Sequence, residues 1–244
     1  MVINELVPGG VAAVQCFGDP DVTPPLFAQE AALVERALIS RRAEFRTVRA
    51  CAREAMGQLG FAPTPILHGV QGEPLWPAGL VGSMAHCAGY RVAVLAKAEE
   101  FALIGVDAEP DEACPDAGIR ELIAGPKELA MLAGLAESHP DVAWDRLLFS
   151  AKECVYKAWY PLARRWLGFE HAAVVLEPET GTFTAHLLAP GPVVNDVRLT
   201  VLRGRWAARH GLIVTAITVP AAGSRSASAD SIETSGGFLR DVRA

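Results

Sequence analysis

Residues 149–160, FSAKECVYKAWY, constrain this chain more than any other stretch. Ala151, Val155, Ala158 and Leu162 recur at the helical period and form a buried stripe. On another face of the same helix Glu153 and Lys157 stand four residues apart, with Lys152 alongside and Tyr156 one turn further on. Pro161 is expected to end or bend the helix near Tyr160. An ion pair on a solvated helix face would account for Glu153 and Lys157 by itself, and such pairs contribute only ~0.2–0.5 kcal/mol. A second stretch upstream asks for more.

FALIGVDAE at 101–109 reads as a buried strand. Asp107 and Glu109 are two apart, so both carboxylates leave the same face at the strand's end. Like charges so placed repel unless a cation or protons relieve them. Mg²⁺ is the natural relief, being a hard ion held by one or two carboxylates, waters and substrate phosphates. The plainer alternative is a solvated strand end leading into a turn at Pro110 and Asp111. With Glu153 added, three carboxylates can hold one Mg²⁺. Lys152 and Lys157 supply cations for a phosphate, and His86 with a run of arginines lies upstream.

The rest of the chain supports a globular α+β body. At 244 residues, 51% hydrophobic and 20% charged, it is long and apolar enough for a core. No run is long enough for a membrane span, and MVINELVPGG is not a secretory leader, so a cytoplasmic protein is expected. The five cysteines are widely spaced, without a CxxC pair, which fits a reducing compartment and neither a zinc site nor a disulfide framework. A net charge of −6 argues against nucleic acid as a partner. Arg36, Arg41, Arg42, Arg46, Arg49 and Arg53 are the local exception and suit a small anionic ligand.

Taken in order, VAAVQCF (11–17) is strand-like, and Phe27 to Leu59 reads as two helices meeting near Ser40. In the second, Leu38, Phe45, Val48, Ala52 and Ala55 face the core while Arg42, Arg46, Arg49 and Arg53 share the opposite face. Gly60 closes it. Residues 62–79 form a Pro- and Gly-rich loop, with Ile66, Leu67 and Trp76 packing inward. Ser83 to His86 then precede a strand at 91–96. Residues 111–139 give short helical pieces over the site, and Asp141 caps the central helix. Beyond the basic patch ARRWLGFE come four strand-like runs, the last of them turning as a hairpin at His210 and Gly211. The organisation expected is an α+β half over 1–103, a second over 104–220 carrying the carboxylate motifs, and a flexible tail over 221–244.

GVDAE followed some forty residues later by FSAKECVYKAW resembles the paired signature of the surfactin-type 4′-phosphopantetheinyl transferases. GEPLWPAGLVGSMAHCAGY and KAWYPLARRWLGF resemble most the branch of enterobactin synthetase component D and its actinobacterial relatives. The resemblance implies a pseudo-dimer of two similar α+β halves with coenzyme A in the cleft between them. It implies transfer of the 4′-phosphopantetheine arm of coenzyme A to a serine of an acyl or peptidyl carrier protein, releasing adenosine 3′,5′-bisphosphate. On matching positions Asp107, Glu109 and Glu153 would bind Mg²⁺ (or Mn²⁺), and Glu153 would be the base for the carrier serine. Lys157, supported by Lys152, would neutralise the transferred phosphate. His86 would contact the 3′-phosphate, Arg41 and Arg49 would grip the nucleotide end, and His68, Gln71 and Ala85 would complete the coenzyme A site. The protein would act as a monomer, with no nucleic acid or membrane partner. Two positions depart from the pattern: Ala85 stands where relatives carry Ser or Thr, and His68 where the branch often has lysine.

Two other readings use the same residues. A Mg²⁺-dependent hydrolase of a coenzyme A-like diphosphate would put water in place of the carrier serine. A non-catalytic coenzyme A or carrier-docking protein would bind without reacting; the intact Asp107, Glu109, Lys152, Glu153 and Lys157 speak against it.

Overall fold

The computed structural model describes residues 2–114 and 117–222. Its first half opens with strand β1 (Ala12–Phe17), a short helix α1 (Ala28–Leu33) and the 20-residue helix α2 (Ile39–Gln58). A two-residue hairpin, β2 (Leu67–His68) and β3 (Pro74–Leu75), follows within the loop expected to be irregular. Strands β4 (Leu80–Cys87) and β5 (Tyr90–Lys97) then form an antiparallel hairpin, and β1 adds to β5 to give the order β1-β5-β4. Ser83 to His86 therefore lie inside a strand, with His86 opposite Arg91.

The second half starts with β6 (Phe101–Pro110), then helices α3 (Ala117–Ile123), α4 (Pro126–Ser138) and the 20-residue α5 (Trp144–Ala163). Strands β7 (Ala172–Glu177), β8 (Thr182–Leu187), β9 (Val193–Val194), β10 (Val197–Arg198), β11 (Val201–Arg209) and β12 (Leu212–Pro220) complete it. Five of these strands form one antiparallel sheet in the order β6-β12-β11-β8-β7. His210 (φ 57°) and Gly211 (φ 71°) make the tight turn between β11 and β12 expected from their residue types. The division expected between 103 and 104 falls inside β6, which pairs with β12 along its length. The tail expected over 221–244 lies, from residue 223 on, outside the described residues.

The protein is thus α+β, with each half a long helix on an antiparallel sheet, and the two sheets sharing one apolar cluster. Strand alternation makes this layering possible. Val92, Val94 and Ala96 of β5 meet Ile104, Val106 and Ala108 of β6 between the sheets, while Ala93 and Leu95 face α2. Residues 103, 105 and 107 of β6 face α5 instead. Ser83 Oγ accepts a hydrogen bond from Val106 N at 3.1 Å, a polar tie between the halves.

Several local expectations shift. Leu38 and Leu162 are exposed rather than in the core stripes, because α2 starts only at Ile39 and α5 is leaving the sheet by its last turn. Pro161 does not end α5 near Tyr160. The helix runs on to Ala163, because a missing N–H so near the C-terminus leaves only one late carbonyl without its donor. Asp141 does not cap it either; the N-cap is Ala143, whose N–H donates to Asp111 Oδ1 at 2.9 Å.

The largest departure is the arginine face of α2. Arg49 and Arg53 are buried, and Glu30 of α1 is fully buried beside them. Glu30 accepts from Arg53 Nη1 at 2.9–3.0 Å, from Ile66 N at 2.9 Å and from Phe27 N at 3.0 Å, while Arg49 Nε donates to Ile66 O at 3.0 Å. Burial pulls the Arg49 pKa down to about 10, with Glu30 opposing the shift. The cluster pins α1 and the start of the 62–79 loop onto α2. Removing one partner of a buried ion pair leaves the other charge unrelieved. Glu30→Ala is therefore expected to lower the unfolding free energy by ~3–5 kcal/mol in urea denaturation, and a loss under ~1 kcal/mol would contradict this account of the cluster.

Candidate active site

Gly105 brings the parts of the site together. A Cβ there would overlap the carbonyl oxygen of Cys154 and sit 3.0 Å from Ala158 Cβ, so α5 lies almost on the backbone of β6. A second tie fixes the helix over the neighbouring strand: Thr215 Oγ1 donates to Ser150 O at 3.1 Å. With α5 so close, Asp107, two residues along β6, comes within reach of the Glu153 and Lys157 face. Lys157 Nζ donates to Asp107 Oδ1 at 2.6 Å. Asp107 Oδ2 is buried and has no hydrogen-bond partner among the described residues.

The other two carboxylates feel the same field. Glu153 is half-buried and makes no hydrogen bond among the described residues; burial first, then the charge of Asp107, raises its pKa, against Lys157. Glu109 is raised by the same two causes, with Arg146 and Lys157 opposing; Arg146 Nη1 donates to Glu109 Oε2 at 3.2 Å. Burial acts to lower the pKa of Lys157, but Asp107 and Glu153 outweigh it and hold the ammonium above its usual value.

Among the described residues no three His, Cys, Asp or Glu side chains form a ready metal cage. The donor chemistry nevertheless fits a hard cation. One buried carboxylate oxygen lacks a partner among the described residues, burial and the charge of Asp107 hold two neighbouring carboxylates toward protonation, and Mg²⁺ needs only one or two protein carboxylates besides waters and phosphates. Asp107, Glu109 and Glu153 would hold it.

A pocket of about 220 Å³ opens beside these groups, lined by Gln71, Glu73, Met84, Glu153, Tyr156 and Lys157, with Ser83, Tyr160 and Pro161. Gln71, Glu153 and Lys157 thus meet as expected. Tyr156 stacks obliquely between Tyr160 and Trp166, at ring-centroid distances of 5.6 and 5.0 Å, and its buried hydroxyl has no partner among the described residues. At one end of the site Arg41 Nη1 meets His86 Nε2 and also donates to Glu44 Oε2 at 3.2 Å. Burial and Arg41 pull the His86 pKa down to about 4, which keeps the imidazole neutral at pH 7. His68 is exposed, its Nδ1 3.2 Å from Gly69 O.

Three expected ligand residues are placed elsewhere. Lys152 is buried, donating to Glu128 Oε2 of α4 at 2.9 Å and to Phe169 O at 3.0 Å, so it ties α4 and the β7 approach to α5 instead of facing the pocket. Ala85 is buried between the sheets, because strand alternation turns it away from the face of Met84 and His86. Arg49 is spent on Ile66 O and the Glu30 cluster. Arg146 and Glu73 were not expected. Arg146 falls on the helical row 146, 150, 153, 157, so periodicity alone could have found it.

Two family models match the chain: the 4′-phosphopantetheinyl transferase N-terminal domain over residues 29–96 and the 4′-phosphopantetheinyl transferase superfamily over residues 103–209. The 4′-phosphopantetheinyl transferase Svp of Streptomyces mobaraensis is 51% identical over 232 residues, covering 94% of each chain. The 4′-phosphopantetheinyl transferase PptT of Mycobacterium tuberculosis is 45% identical over 213 residues, 86% of this chain and 92% of its own. Enterobactin synthase component D of Salmonella typhi is 31% identical over 179 residues, 73% and 72% of the two.

Two outcomes follow from the geometry. Gly105→Ala must push α5 off β6 against backbone, and is expected to lower both melting temperature and affinity for a divalent cation; a variant with wild-type values of both would contradict the close-contact account. The depressed His86 pKa means the unfolded chain binds this proton first as pH falls from 6.5 toward 4. The stability tied to neutral His86 is present above that window and lost on acidification through it. His86→Gln should therefore show a shallower fall in stability between pH 6.5 and 4 than the wild type in parallel urea titrations.

Proposed function

The chain belongs to the 4′-phosphopantetheinyl transferase superfamily, and we propose how its site moves the 4′-phosphopantetheine of coenzyme A onto a carrier-protein serine. The observation that carries the reading is the meeting of Glu153 and Lys157 in one pocket, with Asp107 bound to Lys157 behind it and one buried Asp107 oxygen without a partner among the described residues.

A Mg²⁺ ion held by Asp107, Glu109 and Glu153 would neutralise charge on the diphosphate of coenzyme A. Lys157, held charged by Asp107 and Glu153, is placed to pair with the phosphate that is transferred. The pocket beyond it, walled by Met84, Tyr156 and Tyr160, has the mixed apolar and polar lining that a pantetheine chain needs. Arg41 and neutral His86 stand at the other end as hydrogen-bond donors for the nucleotide phosphate.

Glu153 takes the proton of the carrier serine, directly or through water. Its side chain lines the pocket and has no hydrogen-bond donor on it among the described residues, which leaves it free to accept that proton. The serine oxygen forms a bond to the phosphorus of the arm, and the phosphoanhydride bond breaks to release adenosine 3′,5′-bisphosphate. No group of the protein is consumed.

We place the protein in the cytoplasm as a monomer. Both walls of the pocket come from one chain, all five cysteines are free, and no helix among the described residues is long and apolar enough to cross a membrane.

The test is intact-mass spectrometry of an apo carrier protein incubated with the protein, coenzyme A and Mg²⁺, beside an EDTA control. A metal-dependent gain of one phosphopantetheine is expected. Glu153→Gln should slow the gain by ~10²–10⁴-fold while sparing most coenzyme A binding. Full activity of that variant, or undiminished transfer in EDTA, would overturn the role given to Glu153 or to the metal.

A further inference from the structure

The β2–β3 hairpin is a thin roof. It lines the pocket through Gln71, Gly72, Glu73 and Pro74, and a second cavity of about 260 Å³ lies against it, between Pro74, Leu75 and Trp76 and the residues Ala158 and Leu162 of α5 with Arg164 just beyond it. With two cavities against it, apolar packing holds this segment only weakly against the second half. What crosses the gap is an ion pair: Arg164 Nη1 donates to Glu73 Oε1 at 2.7 Å.

Both partners sit in backbone settings built around that contact. Arg164 is the residue after α5 and takes a left-handed conformation, φ 49°, at a position where glycine is the usual occupant. An arginine tolerated there needs a use for its side chain. The Glu73 side chain is 8% exposed, and its carboxylate is gripped from within the hairpin as well, accepting from Gln71 N at 3.0 Å. It also fills the space in which a Cβ on Gly69 would lie, so the tip is folded around this carboxylate.

We propose that Glu73 and Arg164 form a latch between the two halves that seats the β2–β3 hairpin over the pocket, making Glu73 a positioning residue for the pantetheine arm. This rests on the transferase reading above. The latch sets how firmly the arm is held and leaves the chemistry to Asp107, Glu153 and Lys157. Exposed ion pairs are often worth little, and Arg164 is largely exposed, so the pair must be tested as a pair.

The experiment measures KM for coenzyme A, kcat for carrier modification, and binding of coenzyme A beside adenosine 3′,5′-bisphosphate, which lacks the arm. Glu73→Gln and Arg164→Ala are expected to raise the coenzyme A KM about 5–30-fold, the span of a ~1–2 kcal/mol change, with kcat within about twofold and adenosine 3′,5′-bisphosphate binding unchanged. Gly69→Ala, whose Cβ would displace the Glu73 carboxylate, should reproduce the rise in coenzyme A KM with adenosine 3′,5′-bisphosphate binding unchanged. The charge exchange Glu73→Arg with Arg164→Glu should recover part of the lost affinity relative to either single reversal. Singles that keep the wild-type KM, a charge exchange no better than the single reversals, or equal loss of both ligands would overturn the latch. Failure of the wild type itself to modify a carrier would instead overturn the transferase reading, which the same assay shows separately.

Discussion

The close contact between α5 and β6 at Gly105 is the constraint on which the site depends. A helix normally stands off a sheet by the length of its side chains, which would leave Asp107 too far from Lys157 and Glu153. Removing the side chain at 105, and using Cys154 and Ala158 opposite it, lets helix and strand meet almost backbone to backbone. The odd face of β6 is thus given to α5 and its even face to the partner sheet, so one strand carries the acidic residues and joins the halves.

That placement creates an electrostatic problem that a cation or protons would relieve. Three carboxylates share a half-buried space, and the protein's own cations meet the need in part: Lys157 on Asp107, Arg146 on Glu109. Among the described residues Glu153 has no such partner, and one buried oxygen of Asp107 accepts no hydrogen bond. Such an arrangement is destabilising to the folded chain and is kept where a charged ligand completes it. The arrangement suits the proposed cation, which would bridge these carboxylates to the phosphates of the co-substrate.

The sequence made the two motifs and their elements legible because both periods are short-range. A strand repeats every second residue and a helix every third or fourth, so Asp107 with Glu109, and Glu153 with Lys157, could be assigned to shared faces without knowing the tertiary fold. What was hidden depended on partners distant in the chain. Lys152 neighbours Glu153 in sequence, yet Glu128 of α4 claims it. Arg49 and Arg53 read as a solvated basic face because Glu30, which buries them, is far away in sequence and on another helix. Ala85 is different. Alternation along β4 already turned it away from His86, and placing the segment ahead of a strand rather than within one concealed that. The β2–β3 hairpin, only two residues to a strand, was below what residue pattern can resolve.

The most direct test of the central claim is the anomalous signal of Mn²⁺ in a crystal of the protein with coenzyme A. Mn²⁺ takes the same oxygen ligands as Mg²⁺ and can be located by its scattering. The account predicts a single peak within ~2.0–2.3 Å of an Asp107 carboxylate oxygen and of a diphosphate oxygen, with Glu153 and Glu109 completing the protein side directly or through water. A diphosphate bound by Lys157 and the arginines with no metal peak at Asp107 would contradict it.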